Sequence, residues 1–254
     1  MKVLGIIPAR FASSRFPGKP LALIAGRTML ERVYRRASGA SSLDCLLVAT
    51  DDQRIAECVN AFGGRVVLTS SHCHSGMDRV AEAAKEEQGF EIVANIQGDE
   101  PLLEPEAVDL AVSLIKDTPQ ADITTLVRPA RNIKELDDPN NVKVVLAEGG
   151  KILYFSRSRI PYCRDQITWE SLSSGDHPYL VHLGLYVYRL EALLKLASLP
   201  PSRLEKYESL EQLRAMEAGF SFYAASVDKT ISIGVDVPGD IPLVESRIRE
   251  LGLD

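Results

Sequence analysis

The densest chemistry in this chain lies in one stretch, PARFASSRFPGKPLA, residues 8–22. Arg10, Arg15 and Lys19 share it with Ser13, Ser14 and Gly18. A triphosphate needs several cations together with backbone N–H groups on a loop small enough to wrap it. The glycines match neither the G-x-x-x-x-G-K-[ST] phosphate loop nor the G-x-G-x-x-G dinucleotide turn. A merely solvated basic loop leaves unexplained why every charge in the segment is positive.

Two carboxylates stand at comparable places. Asp99 in NIQGDEP follows an apolar run, and Asp236 in GVDVPGD precedes a proline that can start a helix. Spacing alone reads Asp99 as a turn or cap residue and Asp236 as a helix N-cap. Beside a triphosphate, Asp99 suits Mg²⁺, a hard cation that takes oxygen ligands. Ser75, Gly76 and Arg79 in HSGMDRVAE sit at a helix start, a natural place to meet an anion or a nucleotide. Arg157 offers a planar fork for a carboxylate. Gln97 can both donate and accept. His182 and Tyr186 alternate along HLGLY and so project from one strand face. Glu208, Glu211, Gln212 and Arg214 fall within one expected helix, where a salt-bridged solvent face is the plain reading.

The elements that must position these residues alternate. VLGIIPA (3–9), CLLVAT (45–50), RVVLT (65–69) and EIVANIQ (91–97) read as strands, the longer apolar runs as buried parallel ones. Between them fall helices, the first opening on the capping pattern Thr28-x-x-Glu31, the second over 51–62, the third from Ser75-Gly76. A helix over 106–115 follows. Beyond it come DITTLVRP, NVKVVLAE, KILYFSRS and HLGLYVYR as strands, with Gly149-Gly150 as a hairpin turn. Helices are expected over 190–199 and 204–218, strands at SFYAASV and TISIGVD, and a last helix from Pro238. The order predicts an α/β domain with a mainly parallel sheet flanked by helices and an added antiparallel lobe. One domain spans 1–254. Its 1–120 part is the nucleotide half, 121–232 the lobe, and 233–254 a returning strand end and terminal helix.

Composition narrows the function classes. The chain has 254 residues, 45% hydrophobic and 25% charged, which excludes wholesale disorder. Its net charge of −6 argues against coating nucleic acid or an anionic membrane. That charge is segregated. The first 30 residues hold five Lys/Arg and no acid, leaving 24 basic against 35 acidic residues, −11, for the rest. Four cysteines without a C-x-x-C pair fit idle thiols in a reducing cytoplasm. His72-Cys73-His74 lacks a second ligand pair at zinc spacing. The apolar run ending at Pro8 is too short for a secretion signal or a membrane span. The expectation is a soluble cytoplasmic protein with no membrane or nucleic-acid partner.

Nine motifs then fall in register. They are PARFASSRFPGKPL, VATDD, HSGMDRVAE, NIQGDEPL, VKVV, LYFSRSRIP, HLGLYVYR, LEQLR and GVDVPGD. Together they resemble the sugar nucleotidyltransferases, and in detail the cytidylyltransferases that activate 3-deoxy-D-manno-octulosonate (Kdo). The resemblance implies a Rossmann-like nucleotidyltransferase sheet and the reaction CTP + Kdo → CMP-Kdo + pyrophosphate, serving lipopolysaccharide synthesis. It implies that Arg10, Arg15, Lys19, Asp99 and Asp236 carry catalysis, with Asp99 and Asp236 as Mg²⁺ ligands. It assigns Pro8, Ala9, Arg10, Ser13, Ser14, Arg15, Lys19, Ser75, Gly76 and Arg79 to the nucleotide. It assigns Gln97, Arg157, His182, Tyr186, Glu208 and Glu211 to the sugar, and suggests a homodimer through the lobe. Met77 departs from the Thr or Ser usual in the family, which removes a hydroxyl there. Transfer to 8-amino-Kdo or sialic acid is the near alternative. A glycosyltransferase of related fold would lack the basic loop, and a non-catalytic binder would be expected to lack Lys19, Asp99 or Asp236.

Overall fold

The computed structural model describes residues 1–12, 15–73, 75–164, 177–227 and 233–253. They form two compact units. The first is Met1–Val112 with Ile231–Asp254, the second Ser113–Thr230.

The first unit is built on four parallel strands in the order β6-β1-β4-β5: β1 Val3–Ala9, β4 Cys45–Thr50, β5 Val66–Leu68 and β6 Ile92–Asn95. β1 pairs on both edges, and Val3, Leu4, Ile6 and Ile7 have no accessible surface. This is why its sequence is continuously apolar rather than alternating. Each such side chain contributes about 1.5–3 kcal/mol by leaving water. Three helices pack on these strands: α1 Met29–Ala37, α2 Gln53–Ala61 and α3 Gly76–Glu86. All three are capped locally. Thr28 accepts from the Glu31 N–H, Asp52 from Arg54, and Ser75 forms a reciprocal capping box with Asp78. A two-stranded hairpin, β2 Leu23–Ile24 with β3 Arg27–Thr28, was not expected from the sequence. It is too short to leave a periodic signal. The division between the units falls inside α4, Pro105–Asp117.

In the second unit β7 Ile123–Pro129 runs antiparallel to β10 Leu180–Arg189. β10 pairs with β8 Lys143–Leu146, and β8 with β9 Ile152–Ser156, both antiparallel. The β8–β9 turn uses Gly149 and Gly150, both at positive φ. These pairings form the expected antiparallel lobe, to which β11 Phe222–Ser226 adds one parallel pairing, with β7. A short helix, α5 Ile133–Asp137, also escaped the sequence reading. α6 spans Leu190–Ala197.

The single helix expected over 204–218 is instead two, α7 Arg203–Glu208 and α8 Gln212–Glu217. Ser209 stands between them at φ 51°, the left-handed region. Glu208 and Glu211 therefore do not share a helix. Of the TISIGVD strand, 230–232 lie outside the described residues and 233–236 form no strand. The terminal helix α9 is Ile241–Leu251, preceded by a turn at Pro238–Asp240. It packs Val244 and Ile248 with Ile24, Met29, Leu102 and Val235.

Candidate active site

In parallel α/β sheets, ligands bind beyond the carboxyl ends of the strands. The first unit carries a cavity of about 260 Å³ there. Pro8, Ala9 and Arg10 line it from the end of β1, and Gln97, Gly98 and Asp99 from the segment after β6. Arg15, Lys19, Ser75, Gly76, Arg79 and Asp236 complete the set that the sequence singled out in this unit. Ser13 and Ser14 lie outside the described residues.

Lys19 is the centre of this arrangement. Its ammonium donates to Asp99 Oδ2 at 2.7 Å and to the Val235 carbonyl at 2.8 Å, and lies 3.7 Å from Asp236 Oδ1. The Val235 N–H donates to the Asp99 carbonyl at 2.9 Å. Two distant segments are thus stitched side by side, with a cation between their carboxylates. Lys19 is well enclosed, with 16% of its side chain exposed, so these interactions are less screened than surface ones. Arg15 reaches Asp236 at 3.2 Å from a mostly exposed position, where an ion pair contributes little. Arg10 is exposed at the rim.

Asp236 is not the helix cap that its spacing suggested. The N-cap residue of the terminal helix is Asp240, whose carboxylate turns back to accept from the N–H groups of Asp236 and Val237 at 2.8 and 2.9 Å. The Asp236 carboxylate is left for Lys19 and Arg15. Both carboxylates approach the one ammonium. Mg²⁺ is commonly held by one or two carboxylates plus substrate phosphates and water, so the donor set fits. Among the described residues no group of three His, Cys, Asp or Glu converges.

The remaining positions are set by backbone geometry. Gly18 has φ 73°, and its N–H closes the loop onto the Phe11 carbonyl at 2.9 Å. Gly98 runs so close to β1 that a Cβ would stand 3.0 Å from the Pro8 carbonyl oxygen. The sequence reading passed over Gly98; its place between Gln97 and Asp99 was the available signal. Pro20, Met29 and Cys73 also line the cavity without having been expected. Ser75 spends its hydroxyl on the capping box. Arg79 is buried and held by Thr69 and by Asp51, the latter at 3.1 Å. Met77 points into the core. The Cys73 thiol donates to Glu82, and burial together with that carboxylate pushes its pKa up to about 11.

The other sugar candidates belong to the second unit. Arg157 spends three donors on backbone carbonyls, those of Glu208 at 2.6 Å, Pro139 at 2.8 Å and Ser209 at 3.1 Å. Glu208 accepts from the Ser156 hydroxyl at 2.6 Å and the Arg157 N–H at 2.8 Å. This pair braces the left-handed Ser209. His182 and Tyr186 stack with ring centroids 5.0 Å apart. They share a face although β10 bulges between Leu183 and Tyr186, because they oppose Val127 and Thr125, two apart on β7. His182 keeps some accessible surface, but burial still holds its pKa down to about 3. Burial, with Tyr188 and Glu211 nearby, pushes the Tyr186 phenol well up.

The parallel sheet, the cation-lined cavity at its carboxyl edge and the paired aspartates define a nucleotide-binding α/β protein. Comparison with known proteins makes the class specific: the cytidylyltransferase family model matches residues 4–233, and the chain belongs to that family. A relative from Syntrophotalea carbinolica is 45% identical over 99% of this chain and all of its own, and one from Leptospira interrogans serovar Lai is 47% identical over 96% and 94%. Both are named 3-deoxy-manno-octulosonate cytidylyltransferase. Among solved structures, a CMP:2-keto-3-deoxy-manno-octonic acid synthetase complexed with CTP superposes with a TM-score of 0.90 at 37% identity, covering 98% of this chain and 99% of its own. A cytidylyltransferase from Leptospira borgpetersenii, at 20% identity and TM-score 0.64, shares the fold.

Proposed function

We infer that this chain catalyses CTP + Kdo → CMP-Kdo + pyrophosphate. The observation that carries this reading is Lys19, held between Asp99 and Asp236 in a cavity rimmed by Arg10 and Arg15. The relatives' shared name supports Kdo as the acceptor, and the CTP-bound neighbour supports the nucleotide.

The chemistry is an in-line displacement. The C2 hydroxyl oxygen of Kdo bonds to the α-phosphorus, the bond to the β-phosphate oxygen breaks, and the hydroxyl proton passes to solvent. Such a reaction is driven by positioning and charge neutralisation rather than by a protein nucleophile. Arg10, Arg15 and Lys19 hold the β- and γ-phosphates and stabilise the leaving pyrophosphate. Pro8, Ala9 and Gly76 offer backbone to the nucleotide, and Arg79 is a braced cation at its edge. The resemblance assigns Gln97 of the first unit, and His182, Tyr186, Arg157, Glu208 and Glu211 of the second, to the sugar. Asp99 and Asp236 would hold Mg²⁺, which would supply phosphate charge neutralisation and Lewis acidity.

No helix among the described residues is long and apolar enough to cross a membrane. That fits work in the cytoplasm, supplying activated Kdo for lipopolysaccharide precursors. A homodimer through the second unit is what the resemblance to the family implies. The test is pyrophosphate release from CTP and Mg²⁺ with Kdo, 8-amino-Kdo and sialic acid in parallel. Release is expected with Kdo foremost. Silence with every acid would sink the reading, and preference for another acid would reassign the acceptor.

A further inference from the structure

β10 bulges between Leu183 and Tyr186 in its pairing with β7. Thr125, opposite Tyr186, places its hydroxyl at the bulge. Its Oγ1 lies 2.6 Å from the Leu185 carbonyl oxygen, 3.2 Å from that of Leu183, and 2.9 Å from His182 Nε2. A threonine hydroxyl has one proton and two lone pairs. Carbonyl oxygens only accept, and two oxygens at 2.6 Å repel unless a proton lies between them. The Thr125 proton therefore goes to Leu185. The remaining contact is then closed by a proton on His182 Nε2, donated to Thr125 Oγ1.

The ring can carry only that one proton. Burial keeps the imidazole neutral at ordinary pH, since its pKa is down at about 3. Its orientation is set by aromatic neighbours. Phe155 meets it edge-on at 5.3 Å and Tyr186 lies tilted at 5.0 Å. Nδ1 is thus unprotonated, and it makes no hydrogen bond among the described residues.

We propose that Thr125 is a positioning residue that locks His182 as the Nε2–H tautomer, so that Nδ1 serves as a fixed acceptor for a hydroxyl of the bound sugar acid. The second half of this statement rests on the function proposed above; the first half does not. A neutral acceptor selects a hydroxyl donor without adding a charge that the acid's own carboxylate could capture. Tautomer choice matters because the opposite form would present an N–H to the same hydroxyl and compete with its role as donor.

The experiment is two-bond ¹H–¹⁵N correlation spectroscopy of the ¹⁵N-labelled full chain, with His182→Gln identifying the His182 signals. The expected wild-type pattern is Nε2 protonated and Nδ1 bare. Thr125→Val should convert it to the Nδ1–H pattern or a mixture and raise KM for Kdo about three- to ten-fold more than KM for CTP. Thr125→Ser, which keeps the hydroxyl, should restore both. An Nδ1–H or doubly protonated ring in the wild type overturns the proposal even if Thr125→Val fails to fold. An unchanged Nε2–H pattern in folded Thr125→Val overturns it as well. If the tautomer holds but His182→Gln leaves KM for Kdo unaltered, it is the assignment of His182 to the sugar that fails.

Discussion

Lys19 donates to one aspartate, approaches a second and ties both to the backbone of Val235. A single side chain thereby offsets the repulsion between two carboxylates that the fold forces together, and faces a cavity suited to phosphate. Lysine suits this place as a compact charge with three rotatable donors, where arginine would impose a planar fork. Lys19→Ala is expected to lower kcat/KM by roughly 10²–10³, in line with the loss of other transition-state charge donors. In calorimetric titrations CTP affinity should fall more than Kdo affinity. Equal weakening of both ligands would take Lys19 off the triphosphate. This residue was legible in the sequence because a basic loop directly follows a buried strand. Spacing alone pointed to Asp236 as the helix N-cap, whereas the N-cap position falls to Asp240, four residues on, and only the fold decides between them.

At the scale of elements, the break between α7 and α8 shows what sequence could not supply. KYESLEQLRA holds no Gly or Pro, and its propensity runs helical throughout. The kink is imposed by tertiary contacts: Glu208 takes the Ser156 hydroxyl and the Arg157 N–H, and Arg157 takes the Glu208 and Ser209 carbonyls. Across the break Glu205 meets Arg214 through two bonds, the Nε one at 2.8 Å, with both side chains about nine-tenths buried. Removing one partner of such a pair leaves an uncompensated buried charge, costing about 3–5 kcal/mol. Glu205→Gln should lower the melting temperature clearly, and Glu205→Gln/Arg214→Met should recover part of the loss. A single variant that melts like the wild type would show that the pair does not hold the two helices. The strands and capped helices of the first unit were readable for the opposite reason. Their signals, continuous apolar runs and Ser or Thr caps, are local, and burial on both faces of β1 reinforces them.

Across the whole molecule, the perturbed groups set a pH window for stability. Hydrogen bonds from Arg54 hold Asp52 low, and those from Cys73 and Ser70 hold Glu82 low. Burial raises Asp109, Glu135 and Glu205, but bonds from Ser42 and Ser41, from Arg128, and from Arg214 outweigh it. Each carboxyl sits below its unfolded value of 3.8 or 4.5, so its contribution is present above that value and is lost as pH falls through the folded one. His182 has the same sign. Its unfolded form binds a proton from about pH 6.5 downward while the folded form resists to about 3, so stability drains away across that interval. On the alkaline side Cys73, raised from 9.0 to about 11, stabilises below pH 9 and loses this as pH climbs through the folded value. Tyr186 acts likewise from pH 10. Lys143, buried and lowered from 10.5, has the opposite sign and makes the alkaline limb shallower. Denaturation midpoints should therefore form a plateau from about pH 6.5 to 9, falling more steeply toward acid than toward alkali. His182→Gln should flatten the segment between pH 6.5 and the carboxylate range and leave the lower acid limb in place. A midpoint that rises from pH 7 to pH 5 in the wild type would contradict the assignment of His182 as a buried neutral ring.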